Sequence, residues 1–436
     1  MDEIRKWTLY LMFMVAGFTT GIGTIGLFPQ FWMEYGLTGL AVYLFFLAIF
    51  TYVAIVEAEK VIRSGYYFVE LYNKILKKPA MILAILTTII VFLSYYTANT
   101  MLVLLSPVVG TGTVGRLIAK VLMIAIVFIV LTRAKEKTFA IMSAGSMILV
   151  ISVIVTTIAF VSKIPPTAAF LGMAKHMIMS RNPLTVRMIM AAIEKALYGV
   201  GLGFAFYLML GSFMNERFNA RLIIAVGVLI QAILGILATI TIVYAIAPST
   251  PGDLLKYVYG GEEGAIRLMG QLPSILADYR LLLILIAVSI FLAGVTSILP
   301  TAEVGLQILE FNMKVGRNRA AAYLLGLALL IGIPDSVPKL AQALLLAVSI
   351  SIFFTALFEY YPVISKEVER IKGLKPTTAQ LIAGAILFGV LIPMGLYALY
   401  ETAKKGGADI IGALLAVIIV ATGIFANNPI KKKKEE

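Results

Sequence analysis

Between residues 8 and 426 the chain is a succession of twelve apolar runs, and such a sequence can fold only where lipid is most of its solvent. The runs fall near 8 to 32, 37 to 59, 80 to 105, 117 to 132, 138 to 161, 185 to 211, 220 to 247, 280 to 309, 318 to 334, 339 to 361, 377 to 399 and 409 to 426. Each is about the 20 residues a helix needs to cross a bilayer. Soluble domains are about a quarter charged, whereas here 61% of the 436 residues are hydrophobic and 14% charged. The expected fold is therefore all-α, with twelve transmembrane helices. The opening MDEIRKW runs into the first apolar stretch without a small-residue cleavage site, so it reads as a retained first helix.

Twelve spans put both termini on one side, and the basic residues then assign that side. The termini and the loops after spans 2, 4, 6, 8 and 10 hold 23 of the 36 Lys and Arg, and the other loops hold nine. By the positive-inside rule the termini are expected in the cytoplasm, with KKKKEE as an inner-surface anchor. The formal charge of +13 is explained by these loops and calls for no nucleic acid. With no cysteine and one histidine, His176, the chain has no disulfide framework, zinc cluster or Ser-His arrangement, so an enzyme is not expected.

Two spans are unlike the rest. The first carries GFTTGIGTIGLFP, from Gly17 to Pro29, and the sixth carries YGVGLGF, from Tyr198 to Phe204. Glycine costs a helix about 1 kcal/mol per residue relative to alanine. Both spans should break at mid-membrane and face a cavity that uses their backbone groups. The competing reading is close helix packing, with Gly17 and Gly21, or Gly199 and Gly203, on one face. Spans 1 and 6 are five apart, so the second unit is inverted relative to the first. The expected organisation is one repeat over 1–161, a loop at 162–184, a second repeat over 185–361 with a loop at 248–278, and two further spans with a basic tail over 362–436.

Several residues could carry chemistry. Thr19, Thr20 and Thr24 flank the first break, and FLAGVTSILPTAE places Thr296 and Ser297 beside Gly294, with Pro300 and Thr301 a turn later. Hydroxyls and freed carbonyls suit a hard cation such as sodium without requiring protein charge, although such hydroxyls also bond back to their own helix. Tyr95 and Tyr96 in span 3 need partners for their phenols. Intramembrane ionisable residues are costly; here they are Glu57, Glu59, Glu194, Lys195 and Glu303, with Lys195 expected near Glu34 or Asp335.

Taken in order, these motifs resemble the neurotransmitter:sodium symporter family, in a divergent member of its leucine-transporter-like branch. GIGTIGLFP followed by MEYGLTGLAVYLF resembles its first-helix signature, LGF at 202–204 its sixth-helix break, and AGVTS at 293–297 its sodium motif. The resemblance implies a leucine-transporter-type 5+5 inverted repeat with broken helices 1 and 6, and sodium-coupled uptake of a small amino acid or related amine. It implies at least one sodium ion and no organic cofactor, a plasma-membrane location, and leaves a homodimer open. It assigns the second sodium site to Gly17, Thr20, Ala293, Thr296 and Ser297. It assigns substrate contacts to Thr19, Ile22, Gly23, Phe92, Tyr96, Tyr198, Gly199, Gly201, Phe204, Ser297 and Thr301, and to Glu59 the bracing of the sixth helix.

The sequence also departs from the family. The first sodium site reads Thr24, Gly199 and Gln231, which weakens two ligands and lengthens one. The outer-gate arginine is Leu27, and the gate aspartate of helix 10 falls near Pro338 and Lys339. Lys195 stands where the family has a glutamine near that gate, so its ammonium could supply the missing positive charge. A proton-coupled transporter or exchanger of the same fold, and a sensor that binds without transporting, remain alternatives.

Overall fold

A computed structural model of the chain describes residues 3–335 and 338–426; the KKKKEE tail lies outside them. Among the described residues the protein is helical with no strand, and nine helices are long and apolar enough to cross a membrane. Spans 1 and 6 are absent from those nine because each is split into short halves. Span 9, Arg317–Asp335, is also not among the nine.

Span 1 runs as Glu3–Thr19, then resumes as Ile22–Gly26 and continues past a bend at Leu27 into Phe28–Ser64. That last helix kinks at Gly36 (φ 62°, ψ −152°), where the chain turns into span 2. Span 6 runs as Val186–Val200, unwinds, and resumes as Phe206–Phe213. The other spans are Pro79–Val109, Thr113–Leu131, Lys135–Lys163, Ala220–Ile246, Arg280–Met313, Pro338–Ile364, Thr378–Lys405 and Ala408–Phe425. The two long loops hold helices of their own, Ala168–Met179 in one and Pro251–Tyr259 with Gly261–Ile275 in the other. These loop helices cover an apolar cluster that includes Ile25, Phe160, Phe170, Tyr257 and Leu268.

Packing follows from where the breaks lie. The first half of span 1 is wedged among spans 5, 7 and 8, and span 6 lies along span 2. Gly17 permits the first of these contacts, since a Cβ there would lie 1.9 Å from the Ser146 hydroxyl and 3.1 Å from the Thr296 Cβ. At span 6 the reason is backbone conformation: Gly201, Gly203 and Ala205 all have positive φ, at 78°, 98° and 54°. Gly203 has no room either, because its Cβ would meet Ile352 Cγ1 of span 10 at 2.4 Å. Gly203→Ala therefore adds left-handed strain of about 1–2 kcal/mol and overpacking of about 1–3 kcal/mol. Thermal unfolding in detergent should show a loss of about 2 kcal/mol or more, and an unchanged melting temperature would contradict this account.

Candidate ion and substrate site at the two helix breaks

At the first break the helix loses its ladder between Thr20 and Ile22, and neighbouring spans take over its polar groups. The Ile22 N–H donates to the Tyr96 hydroxyl of span 3 at 2.8 Å. The Phe18 carbonyl accepts from the Ser297 hydroxyl of span 8 at 3.0 Å. Gly21 lies where these two partners meet, with the Tyr96 and Ser297 oxygens 2.9 and 3.3 Å from where its Cβ would be. The Thr20 hydroxyl is buried with no hydrogen-bond partner. An orphan of this kind needs a ligand or water, since an unpaired buried hydroxyl costs about 1–3 kcal/mol.

Span 8 contributes more acceptors. The Thr296 hydroxyl donates to Leu292 and Ala293 carbonyls at 2.9 and 3.2 Å, which leaves its lone pairs free. Pro300 lacks the N–H that would bond the Thr296 carbonyl one turn back. Spans 1 and 8 face each other here, Gly17 against Thr296 and Phe18 against Ser297, and none of Gly17, Thr20, Ala293, Thr296 and Ser297 carries a charge. That donor set fits a sodium ion.

Aromatic rings pack together around the breaks. Phe92 stacks on Tyr96 with centroids 4.5 Å apart and tilts against Phe204 at 5.1 Å. Phe18 stacks on Phe206 at 3.9 Å and lies against Gly201, whose Cβ would be 2.4 Å from its ring. Tyr198 is half-buried against the main core, and Gly23 and Ile22 are half-buried in the short resumed helix. The hydroxyls of Thr19 and Thr301 turn back to Val15 and Ser297 carbonyls, at 2.9 and 2.8 Å, as the back-bonding alternative anticipated.

Thr24, Gly199 and Gln231 come together with a fourth residue, Tyr43. The Gln231 amide nitrogen is 3.5 Å from the Thr24 hydroxyl, and Tyr43 donates to the Gln231 oxygen at 3.4 Å. A Cβ on Gly199 would be 2.9 Å from the Tyr43 hydroxyl, so this glycine serves close packing against span 2. The region holds its own hydrogen-bond donors.

Contacts on both faces flank the site. On the face opposite the termini, Tyr257 donates to the Gly26 carbonyl at 2.6 Å, and Gln30 donates to the carbonyls of Tyr257 and Gly261. Burial pushes the Tyr257 phenol above its ordinary range. Thr250, whose hydroxyl and N–H donate to Asp253 at 2.8 and 3.2 Å, holds that carboxyl below the usual range and starts this loop helix. On the face bearing the termini, Trp7 and Phe139 both pack edgewise on Phe213.

The ionisable residues need one correction. Glu59 does not reach the sixth helix; it is ion-paired with Arg221 of span 7 at 2.7 Å, at the surface. The residue that braces span 6 is Glu359 of span 10, whose two oxygens accept from the N–H groups of Gly203, at 2.7 Å, and Ala205. The sequence reading passed over Glu359 because it lies at the end of the tenth run. Its signal was an acidic residue in the apolar FTALFEYYP. Lys195 is 4.0 Å from its neighbour Glu194, and Glu34 meets Arg187 at 3.7 Å instead. The side chains of Asp335, Pro338 and Lys339 lie outside the described residues.

These two glutamates should behave differently. Glu59→Gln removes a surface pair worth about 0–1 kcal/mol. Glu359→Leu strands two buried N–H groups at about 1–3 kcal/mol each, so it should lower stability by about 2 kcal/mol or more. Denaturation of the two variants side by side checks the order.

No family model and no curated protein matches the chain. Among solved structures it is similar to that of MhsT, crystallised in complex with L-phenylalanine. The identity is 17% over 95% of this chain and 98% of that one, with a TM-score of 0.62. MhsT is a neurotransmitter:sodium symporter family member of the leucine-transporter fold. The chain therefore has that fold.

Proposed function

We propose that the chain is a secondary transporter that couples sodium to the import of a small amino acid or related amine by alternating access. One observation carries the reading: two membrane helices break, and their freed groups are met by other spans, those of span 1 by hydroxyls of spans 3 and 8 and those of span 6 by Glu359 of span 10. Lipid tolerates such backbone only where it is buried in protein or lines a cavity, and secondary transporters place their substrate and ion sites at breaks of this kind. Gly17, Thr20, Ala293, Thr296 and Ser297 would hold the ion, and Tyr96, Gly201 and Phe204 with their neighbours would hold the substrate. The close ring packing of Phe92 with Phe204 supports a compact substrate, and MhsT was crystallised with L-phenylalanine.

The rest of the reading follows the same frame. The halves 1–161 and 185–361 act as inverted repeats, and spans 1, 2, 6 and 7 rock around the site. The excess of Lys and Arg on one side supports cytoplasmic termini in a plasma membrane. One sodium ion moving through 100 mV supplies about 2.3 kcal/mol, enough to concentrate a neutral substrate about fifty-fold. A single ion suffices.

Uptake of pooled radiolabelled amino acids into proteoliposomes tests this, with an inward sodium gradient against an equal potassium gradient, each with and without a pH step. Sodium-dependent accumulation is expected. Ser297→Ala and Thr296→Val should each raise the sodium concentration for half-maximal uptake about fivefold or more, since a lost ligand costs about 1–3 kcal/mol. Accumulation in potassium that follows the pH step would overturn sodium coupling.

Lys195, 20% exposed and weakly tied to Glu194, is proposed as the positive charge at the outer gate. Lys195→Gln should raise the substrate concentration for half-maximal uptake, and unchanged uptake would remove Lys195 from the gate.

A further inference from the structure

Two carboxylates lie in the protein interior beside the break in span 6. Glu359, 1% exposed, accepts one backbone N–H on each oxygen, from Gly203 and Ala205, at the start of the helix that resumes at Phe206. Both oxygens are used as acceptors, which is the bonding of an ionised carboxylate. Glu57, 0% exposed, has no hydrogen-bond partner on either oxygen. Its charge would act directly on that of Glu359.

The surroundings give Glu57 no compensation. Tyr72, Tyr207 and Tyr360 feel its charge, but each spends its hydroxyl elsewhere, on the carbonyls of Phe358, Val200 and Gln380 at 2.6, 2.6 and 2.7 Å. Lys60, one turn along the same helix, donates to the Leu374 carbonyl at 2.7 Å. No ion pair reaches Glu57 or Glu359 among the described residues. Glu303, the other fully buried glutamate discussed above, is held by Arg317 through contacts of 2.5 and 3.0 Å. An ionised Glu57 would be a bare buried charge next to a second one, which the interior does not tolerate.

We propose that Glu57 is an intramembrane proton site: it holds a proton while ionised Glu359 caps the break in span 6, and exchanges it with water on the face bearing the termini when the break moves away. Glu57 is seven residues, about 10 Å along the helix, from the end of span 2 at Ser64. The break is the element that rocks in the proposed transport cycle, so the proton's affinity changes with the position of span 6. The site itself requires neither sodium coupling nor transport, and goes beyond the function proposed above.

Infrared spectroscopy of the full chain in detergent tests this without any uptake assay. At about pH 8 the exposed Asp and Glu are ionised. The wild type should still show the carbonyl stretch of one protonated carboxylic acid, and Glu57→Gln should lose it. Glu359→Gln removes the neighbouring negative charge, so the pH at which the band is half lost should fall by about one unit, a tenfold weaker hold on the proton. Absence of the band in the wild type overturns the proposal, whether or not the variants fold. So does a band that survives in Glu57→Gln, or one that disappears when sodium or potassium chloride is added, which would make the ligand a metal cation. An unshifted half-loss in folded Glu359→Gln overturns the coupling.

Discussion

Everything in this fold turns on one constraint: in hydrocarbon, a backbone N–H or C=O without a partner is worth several kcal/mol, and two of the twelve spans give up their own partners. At the break in span 1 the replacements are neutral hydroxyls, Tyr96 on the Ile22 N–H and Ser297 on the Phe18 carbonyl. At the break in span 6 the replacement is a charge, Glu359 on the N–H groups of Gly203 and Ala205. The breaks are thus pinned by spans 3, 8 and 10. Those spans must stay fixed if the broken pair is to move as a unit.

The difference between the breaks has consequences for what can bind. Carbonyls freed at span 1 and span 8 leave acceptors in excess, with the Thr20 hydroxyl unpartnered among them. An excess of acceptors without a carboxylate attracts a small cation. At span 6 the freed groups are donors, and the protein answers them with its own carboxylate. That carboxylate in turn dictates the state of Glu57 beside it. The proposed cation site and the proposed proton site would thus be two outcomes of the same rule, applied to opposite ends of the peptide unit.

How far the sequence revealed this depends on the length scale of each signal. Both breaks were legible because glycine clusters are rare within apolar runs, and the twelve spans were legible from length alone. Glu59 was misread because motif order locates a residue only to within a turn or so. Helical periodicity would have decided it: Phe50, Val53, Ala54, Glu57 and Val61 share the buried face of span 2, and Glu59 does not. Partnerships across 150 or more positions were out of reach of any local pattern, such as Gln30 with Tyr257 or Glu359 with Gly203. So was the role of Tyr43, an aromatic indistinguishable in sequence from its lipid-facing neighbours Leu44 and Phe45.

The Tyr43 cluster bears on how many ions the proposed cycle uses. Gln231 brings an amide nitrogen to 3.5 Å from the Thr24 hydroxyl, and Tyr43 adds a hydroxyl donor to the Gln231 oxygen. Donors and acceptors there are nearly balanced within the protein, whereas the Thr20 hydroxyl is left without a partner. A cation entering the Gln231 cluster would have to displace an amide and a phenol from hydrogen bonds and meet the amide's N–H groups. At the break in span 1 the Thr20 hydroxyl is buried without a partner, so a cation bound there would displace no hydrogen bond from that oxygen. Coupling through one ion is therefore what the donor and acceptor inventory favours, and one ion is enough to drive accumulation of a neutral substrate.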